Sequence, residues 1–229
     1  LRASLEAQGH RFYTQSDTEV IVHLYDRYGD RFVEHLNGQF AIALWDGARK
    51  RFVLARDRAG IRPLFWTQAR GKLWFASEAK ALLAVLPERA ALDPRGLVQA
   101  LNFWSPVEPD TVFRDISSLP PGCLLTIEDG GAPNVRRWWD WTFPATAADG
   151  RRSAALSGSF DDAVRDLREL LVDAVRIRLR ADVPVGAYLS GGLDSSGIVA
   201  LIRGFTDTPV RTFSVAFEDK EFDESVHQQ

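Results

Sequence analysis

The chain has 229 residues, 45 % of them hydrophobic and 26 % charged, with a formal net charge of −3 and a single cysteine, Cys123. This is an ordinary globular composition with material for a sizeable core. Without clustered Lys and Arg it argues against nucleic acid as the main partner, and without roughly 18 uninterrupted apolar residues it argues against a membrane span. One thiol makes no internal disulfide, which fits a reducing cytoplasm, and the first residues do not read as a secretory leader.

Residues 14–28 read as a capped helix: Thr14, Ser16 and Asp17 offer oxygens to first-turn N–H groups, and Val20, Ile21, Leu24, Tyr25 and Tyr28 recur at helical spacing. A second short helix is predicted over 30–36, with Asn37-Gly38 as its left-handed stop. Residues 40–45 and 52–55, joined by the Asp46-Gly47 turn, are apolar on both alternating faces and read as strands buried between layers. Strands at 63–67 and 73–76 flank Arg70-Gly71, and a short helix follows over 79–86. Asp93-Pro94 opens another helix, with Asp as cap and Pro at the first position. Pro120-Pro121-Gly122 turns into a strand over 123–127, and 134–143 is an extended aromatic segment containing Trp138, Trp139 and Trp141. Strands clustered between helices predict a layered α+β domain.

Residues 144–158, rich in Ala, Gly, Ser and Asp, are the expected linker between residues 1–143 and 159–229. Ser159 caps a long helix with Phe160, Val164, Leu167, Leu171, Ala174 and Val175 on one face. An apolar strand over 183–189, the turn Ser190-Gly191-Gly192, a helix and a strand over 210–217 follow, which is the opening of a parallel α/β domain.

The sharpest local signal is Leu189-Ser190-Gly191-Gly192-Leu193-Asp194-Ser195-Ser196. Two glycines after a strand let the backbone turn tightly and approach a ligand. The helix that follows offers unpaired N–H groups to an anion, and Ser190, Ser195 and Ser196 add hydroxyls. Asp194 repels a bare phosphate but suits a Mg²⁺ that phosphates share. A Walker loop needs a Lys before its Ser or Thr, and none stands here. The plain alternative is a glycine turn in an α/β unit.

Residues 190–196, SGGLDSS, resemble the pyrophosphate-binding loop of the ATP-pyrophosphatases, and Asp182-Val183-Pro184-Val185-Gly186 narrows the resemblance to the glutamine-hydrolysing asparagine synthetase family. Thr212-Phe213-Ser214-Val215 resembles the next strand of that branch. The resemblance implies ATP binding by Leu189, Ser190, Gly191, Gly192, Asp194, Ser195, Ser196 and Val215, with Asp194 on Mg²⁺. Upstream, Ser16-Asp17-Thr18-Glu19-Val20 looks like the stretch of class II glutamine amidotransferases whose Asp grips the amino group of glutamine, so Asp17 is the glutamine-binding candidate beside its reading as a helix cap. Residues 36–41, 56–64 and 77–82 resemble further motifs of that domain and read as architecture, a charged turn tied to a neighbouring loop.

The implied fold is a partial αββα glutaminase domain of the N-terminal-nucleophile type, followed by the start of an α/β nucleotide-binding domain. The implied reaction is the ATP-driven amidation of aspartate to asparagine with ammonia from glutamine, through an acyl-adenylate, releasing AMP and pyrophosphate. A homodimer is left open. The same scaffold in relatives amidates other carboxylates or closes a β-lactam ring, and a non-catalytic partner-binding module is the third alternative. The family's nucleophile is a mature N-terminal cysteine, whereas Cys123 follows Pro-Pro-Gly at a strand start and reads as a core thiol. With no methionine and a polar stretch at 218–229, the chain is expected to be a fragment cut at both ends and inactive by itself. His10, His23, His35 and His227 show no ligand spacing, and the three tryptophans are expected to pack at the domain junction.

Overall fold

The computed structural model describes residues 1–89, 91–142, 159–204 and 210–218. The chain divides into two compact units, residues 1–143 and 144–229. The expected linker at 144–158 and His227 lie outside the described residues, as does the polar stretch after residue 218.

In the first unit, α1 (Arg2–Glu6) and α2 (Asp17–Tyr28) precede a 3₁₀ turn at Gly29–His35. α2 stops at Gly29, at φ 55°, while the short helix after it ends at Leu36 in extended backbone, at φ −85°, so Asn37-Gly38 is not its left-handed stop. The second helix is a tight 3₁₀ continuation that begins at Gly29 itself.

Two antiparallel sheets follow. β1 (Ala41–Asp46), β2 (Arg51–Arg56), β6 (Cys123–Glu128) and β7 (Asn134–Arg137) form one in that spatial order. β3 (Phe65–Ala69) sits between β4 (Lys72–Ala76) and the short β5 (Ser117–Ser118) in the other. The β3–β4 hairpin turns on Arg70 and Gly71, at φ 53° and 68°, the pair of positive values that matches strand twist in a two-residue turn.

Alternation along β2 and β6 builds two cores from the same strands. Val53, Ala55 and Leu124 face Leu24, Phe32 and Val33 of the helical layer. Leu54, Cys123 and Leu125 face Leu64 and Leu119, with Trp66 and Leu73 of the second sheet against them. The layers are therefore helix, sheet and sheet, an α+β fold. β1 departs from the expectation of a strand buried on both faces. It is an edge strand whose burial alternates, with Ile42 inside and Trp45 61 % exposed. Ala43 lies opposite Leu54 in register, yet only Leu54 is buried. Among the described residues the second sheet covers β2 and does not reach β1.

Two further helices, α3 (Ala79–Val85) and α4 (Pro94–Phe103), lie between β4 and β5 in the chain. Asp93 caps α4 through the Arg95 and Gly96 amides. A Cβ on Gly96 would stand 2.0 Å from the Thr111 carbonyl oxygen, so only glycine lets this helix lie against that backbone. Trp138 packs on the first core, stacked on Phe40, and Arg58 lies over its ring. At least this tryptophan is thus spent inside the first unit.

In the second unit, α5 (Phe160–Arg178) opens with a reciprocal capping box between Ser159 and Asp162. Its apolar face is present but, among the described residues, uncovered: Phe160, Val164, Leu167 and Leu171 are exposed. β8 (Gly186–Tyr188) pairs in parallel with β9 (Arg211–Phe213), and α6 (Leu193–Arg203) lies between them in the chain. Both strands are shorter than the apolar runs that predicted them: Val183 and Val185 before β8 and Val215 and Phe217 after β9 are exposed and lie outside the strands.

Candidate functional site

The glycine loop stands where β8 ends. The Leu189 amide donates to the Phe213 carbonyl at 2.9 Å, and the Ser214 hydroxyl donates to the Leu189 carbonyl at 2.7 Å. These bonds bring Leu189 beside the segment that carries Val215, at the carboxyl ends of two parallel strands, where ligands of α/β sheets gather. Gly191 then turns at φ 92°, a left-handed value, and Gly192 caps α6 without a side-chain oxygen.

Hydroxyls close the loop. Ser190 and Ser195 lie 3.0 Å apart through their Oγ atoms; the Ser190 amide donates to Ser195 Oγ, and Ser195 Oγ reaches the Gly192 carbonyl at 3.1 Å. The Ser196 amide already donates to the Gly192 carbonyl, so the amides of Leu193, Asp194 and Ser195 are the first-turn donors without a carbonyl one turn back. Asp194 is exposed in that first turn, with its carboxylate at the positive end of α6. The arrangement is an amide cradle with one carboxylate beside it.

That donor set fits Mg²⁺ held jointly with phosphate oxygens: hard oxygen ligands, one protein carboxylate and room for the rest. It does not fit a metal caged by protein alone, for the described residues contain no cluster of three or more His, Cys, Asp or Glu able to hold one.

Asp17 belongs to the first unit. Ser16 is the cap of α2, its Oγ accepting from the Thr18 amide at 3.2 Å. Asp17 is therefore not the capping residue. Its exposed carboxylate accepts only a long 3.4 Å bond from the Thr18 hydroxyl among the bonds described. The turn before it is clamped. Glu19 accepts from the Tyr13 amide at 2.7 Å, the Thr14 amide at 2.8 Å and the Thr14 hydroxyl at 2.6 Å. The Thr14 hydroxyl bond is the largest cause that pulls the Glu19 carboxyl from 4.5 to about 2, with the backbone amides adding to it. A depressed carboxyl stabilises the fold above its unfolded value and loses that contribution as pH falls to the folded one. The clamp is thus fully present above about 4.5 and released towards about 2. Amide resonances of Tyr13 and Thr14 should hold their positions from neutral pH to about 4.5 and move only below it; movement near pH 6 would show that Glu19 is not the group holding them.

Cys123 is 3 % exposed in the second core, and burial pushes its thiol up. A protonated buried thiol is no nucleophile. The charged turn at 56–62 is tied down throughout. Arg56 donates to the carbonyls of Gly60, Arg62 and Leu119 and pairs with Glu108. Asp57, 1 % exposed, accepts from the amides of Phe40, Ala59, Ile61 and Arg62.

The profile of the glutamine amidotransferase domain family matches residues 1–139. The chain belongs to that family. The asparagine synthase profile matches residues 166–229. Asparagine synthetase 3 (glutamine-hydrolysing) of Bacillus subtilis (strain 168) is 39 % identical over 235 residues, covering 100 % of this chain and 36 % of its own length. Asparagine synthetase 1 of the same organism is 34 % identical over 98 % of this chain and 34 % of its own. An amidase of Gibberella zeae is 38 % identical over 86 % of this chain and 28 % of its own. The chain spans about a third of the length of these relatives. Among solved structures, glutamine phosphoribosylpyrophosphate amidotransferase from B. subtilis, complexed with ADP and GMP, superposes with a TM-score of 0.43 at 19 % identity, over 96 % of this chain and 44 % of that one. The family read from the sequence motifs is borne out.

For this amidotransferase chain, sequence reading missed three features. Ser214 ties β9 to the glycine loop, and its place one residue before Val215 was the available signal. Glu19 was passed over inside the Ser-Asp-Thr-Glu stretch. His10 and His23 face each other, Nδ1 to Nδ1, at 3.2 Å; thirteen positions apart, they give no local pattern. His35 stacks on Tyr28 as a packed residue. No described helix is long and apolar enough to cross a membrane.

Proposed function

We propose that this chain is part of a glutamine-dependent ligase that uses ATP to activate the side-chain carboxylate of aspartate and passes ammonia from glutamine to it. The observation that carries the reading is the loop at 189–196: three first-turn amides, the Ser190–Ser195 hydroxyl pair and Asp194 meet at the strand ends joined by the Ser214 bond. In this reading residues 1–143 are the glutaminase part, 144–158 the linker and 159–229 the opening of the nucleotide-binding domain. Leu189, Ser190, Gly191, Gly192, Ser195, Ser196 and Val215 hold the nucleotide, while the amides of the first turn and the serine hydroxyls receive the pyrophosphate oxygens. Mg²⁺ supplies neutralisation of phosphate charge, and Asp194 is the residue to hold it. The acyl-adenylate of aspartate then reacts with ammonia, giving asparagine and AMP. Asp17 pairs with the amino group of glutamine in the first unit.

The amidase relative favours a second reading, in which the same machinery serves another carboxylate. Acid-dependent exchange of pyrophosphate into ATP by the complete gene product, measured over a panel of carboxylic acids, separates them. Aspartate should stimulate exchange at least about tenfold over background, a discrimination of about 1.4 kcal/mol. Indifference to aspartate with stimulation by another acid would replace the acceptor; no stimulation by any acid would remove the activation step.

A further inference from the structure

Residues 10–16, between α1 and α2, form neither helix nor strand, so their amides and carbonyls need partners from side chains or water. Two charged side chains supply several of them, one for amides and one for carbonyls. Glu19, in the first turn of α2, takes the Tyr13 and Thr14 amides and the Thr14 hydroxyl. Arg2, on α1, donates to the Thr14 carbonyl at 2.6 Å, reaches the Ser16 carbonyl at 3.5 Å, and lies over the Phe12 ring. Within the turn, the Thr14 hydroxyl also accepts from the Ser16 amide at 3.1 Å, and Ser16 caps Thr18. A chain of bonds therefore runs from Glu19 through Thr14 and Ser16 into the first turn of α2, and Asp17 lies inside it. Asp17 itself contributes almost nothing to that chain, so its carboxylate is left to face outward.

We propose that Glu19 is a positioning residue for glutamine: its carboxylate folds the 13–16 turn onto α2 and so sets where the Asp17 carboxylate meets the substrate's amino group. The inference rests on the proposed role of Asp17. A carboxylate that must meet an ammonium in one geometry loses much of its value when its backbone wanders by about 1 Å. Glu19 touches no substrate in this scheme, and its effect is carried by Thr14 and Ser16. Neighbouring charge does not replace it, since His23 Nε2 is 3.7 Å from Glu19 Oε1 and can only add to the clamp when protonated.

The test is glutamine hydrolysis by the complete gene product, with glutamine compared against its analogue lacking the α-amino group, glutaramate. Glu19→Gln keeps the length of the side chain but has one acceptor oxygen where two are used. It should raise KM for glutamine about tenfold, leave most of the loss off kcat, and cut the preference for glutamine over glutaramate by the same factor. A merely structural lesion would lower activity on both substrates together. Thr14→Val, which removes the hydroxyl link but leaves Glu19, should move the preference in the same direction by about threefold, and it decides the matter if Glu19→Gln does not fold. Asp17→Ala separates the two readings. If it abolishes the preference while Glu19→Gln and Thr14→Val leave it intact, the positioning role is overturned and that of Asp17 stands. If Asp17→Ala leaves the preference intact, the role of Asp17 fails, and the positioning inference falls with it.

Discussion

Replacing Asp194 by alanine in the complete gene product is expected to lower acid-dependent pyrophosphate exchange by about a thousandfold or more, while glutamine hydrolysis changes less than twofold. The size follows from what the carboxylate would do. A group that places a divalent cation against transferring phosphates acts on charge developing in the transition state, and losing one such contact typically costs two to three powers of ten or more. The selectivity follows from where the residue stands. Asp194 is exposed in the first turn of α6, in the second unit, whereas Asp17 and its clamp lie in the first. The cost to folding is small, since the helix loses only a favourable dipole contact of about 0.3–1 kcal/mol. Asp194→Asn should behave nearly as badly, because an amide keeps the shape and loses the charge. Exchange within tenfold of the parent in both variants, with normal thermal unfolding, would remove Asp194 from the metal role.

The second large effect concerns the fold. Asp57→Ala should lower the stability of the first unit by at least about 4 kcal/mol. Four amides, those of Phe40, Ala59, Ile61 and Arg62, donate to this one buried carboxylate. Each donor left in a water-poor site costs about 1–3 kcal/mol, and relaxation recovers only part of the sum. The backbone of the same residue adds three ties, its amide to the Phe40 carbonyl and its carbonyl to the Gly60 and Gly122 amides, so the approach to β1, the 57–62 turn and the 120–122 turn all meet here. Asp57→Asn retains one acceptor oxygen and should lose about half as much. Urea unfolding followed by tryptophan fluorescence reports on this directly, as Trp138 packs on the core beside Phe40. An alanine variant within about 1 kcal/mol of the parent would mean that water satisfies these amides as well as the carboxylate does.

Both results bear on how function is distributed along the chain. The motif at 56–64 reads in the sequence as a charged turn, and charge in a family motif invites a catalytic role. Its charges are instead consumed by backbone: Asp57 by four amides and Arg56 by three carbonyls and Glu108. In the cavity of about 690 Å³ beside this turn, three polar groups of the lining, Arg56, Glu108 and Ser118, are already bonded to one another. The functional charges of the proposal, Asp17 and Asp194, are by contrast exposed.

What the sequence determined by itself was local. The caps of α4 and α5, the Arg70-Gly71 turn and the Gly191 turn are each written within a few neighbouring residues, because hydrogen-bond reach and positive φ are set at that range. Even so, a local signal with several donors was ambiguous: Thr14, Ser16 and Asp17 all offered a capping oxygen, and the fold used Ser16 for the cap and Thr14 for the clamp. The tertiary structure alone decided which apolar strand is central and which lies at an edge, since β1 and β2 both carry apolar runs but only β2 is covered on both faces. It alone placed Cys123 between sheets, joined Ser214 to Leu189 across a parallel pair, and tied both Arg2 and Glu19 to the turn before Asp17. Each of these depends on a partner distant in sequence or on how far a second layer extends, and neither is encoded in the period of a single segment.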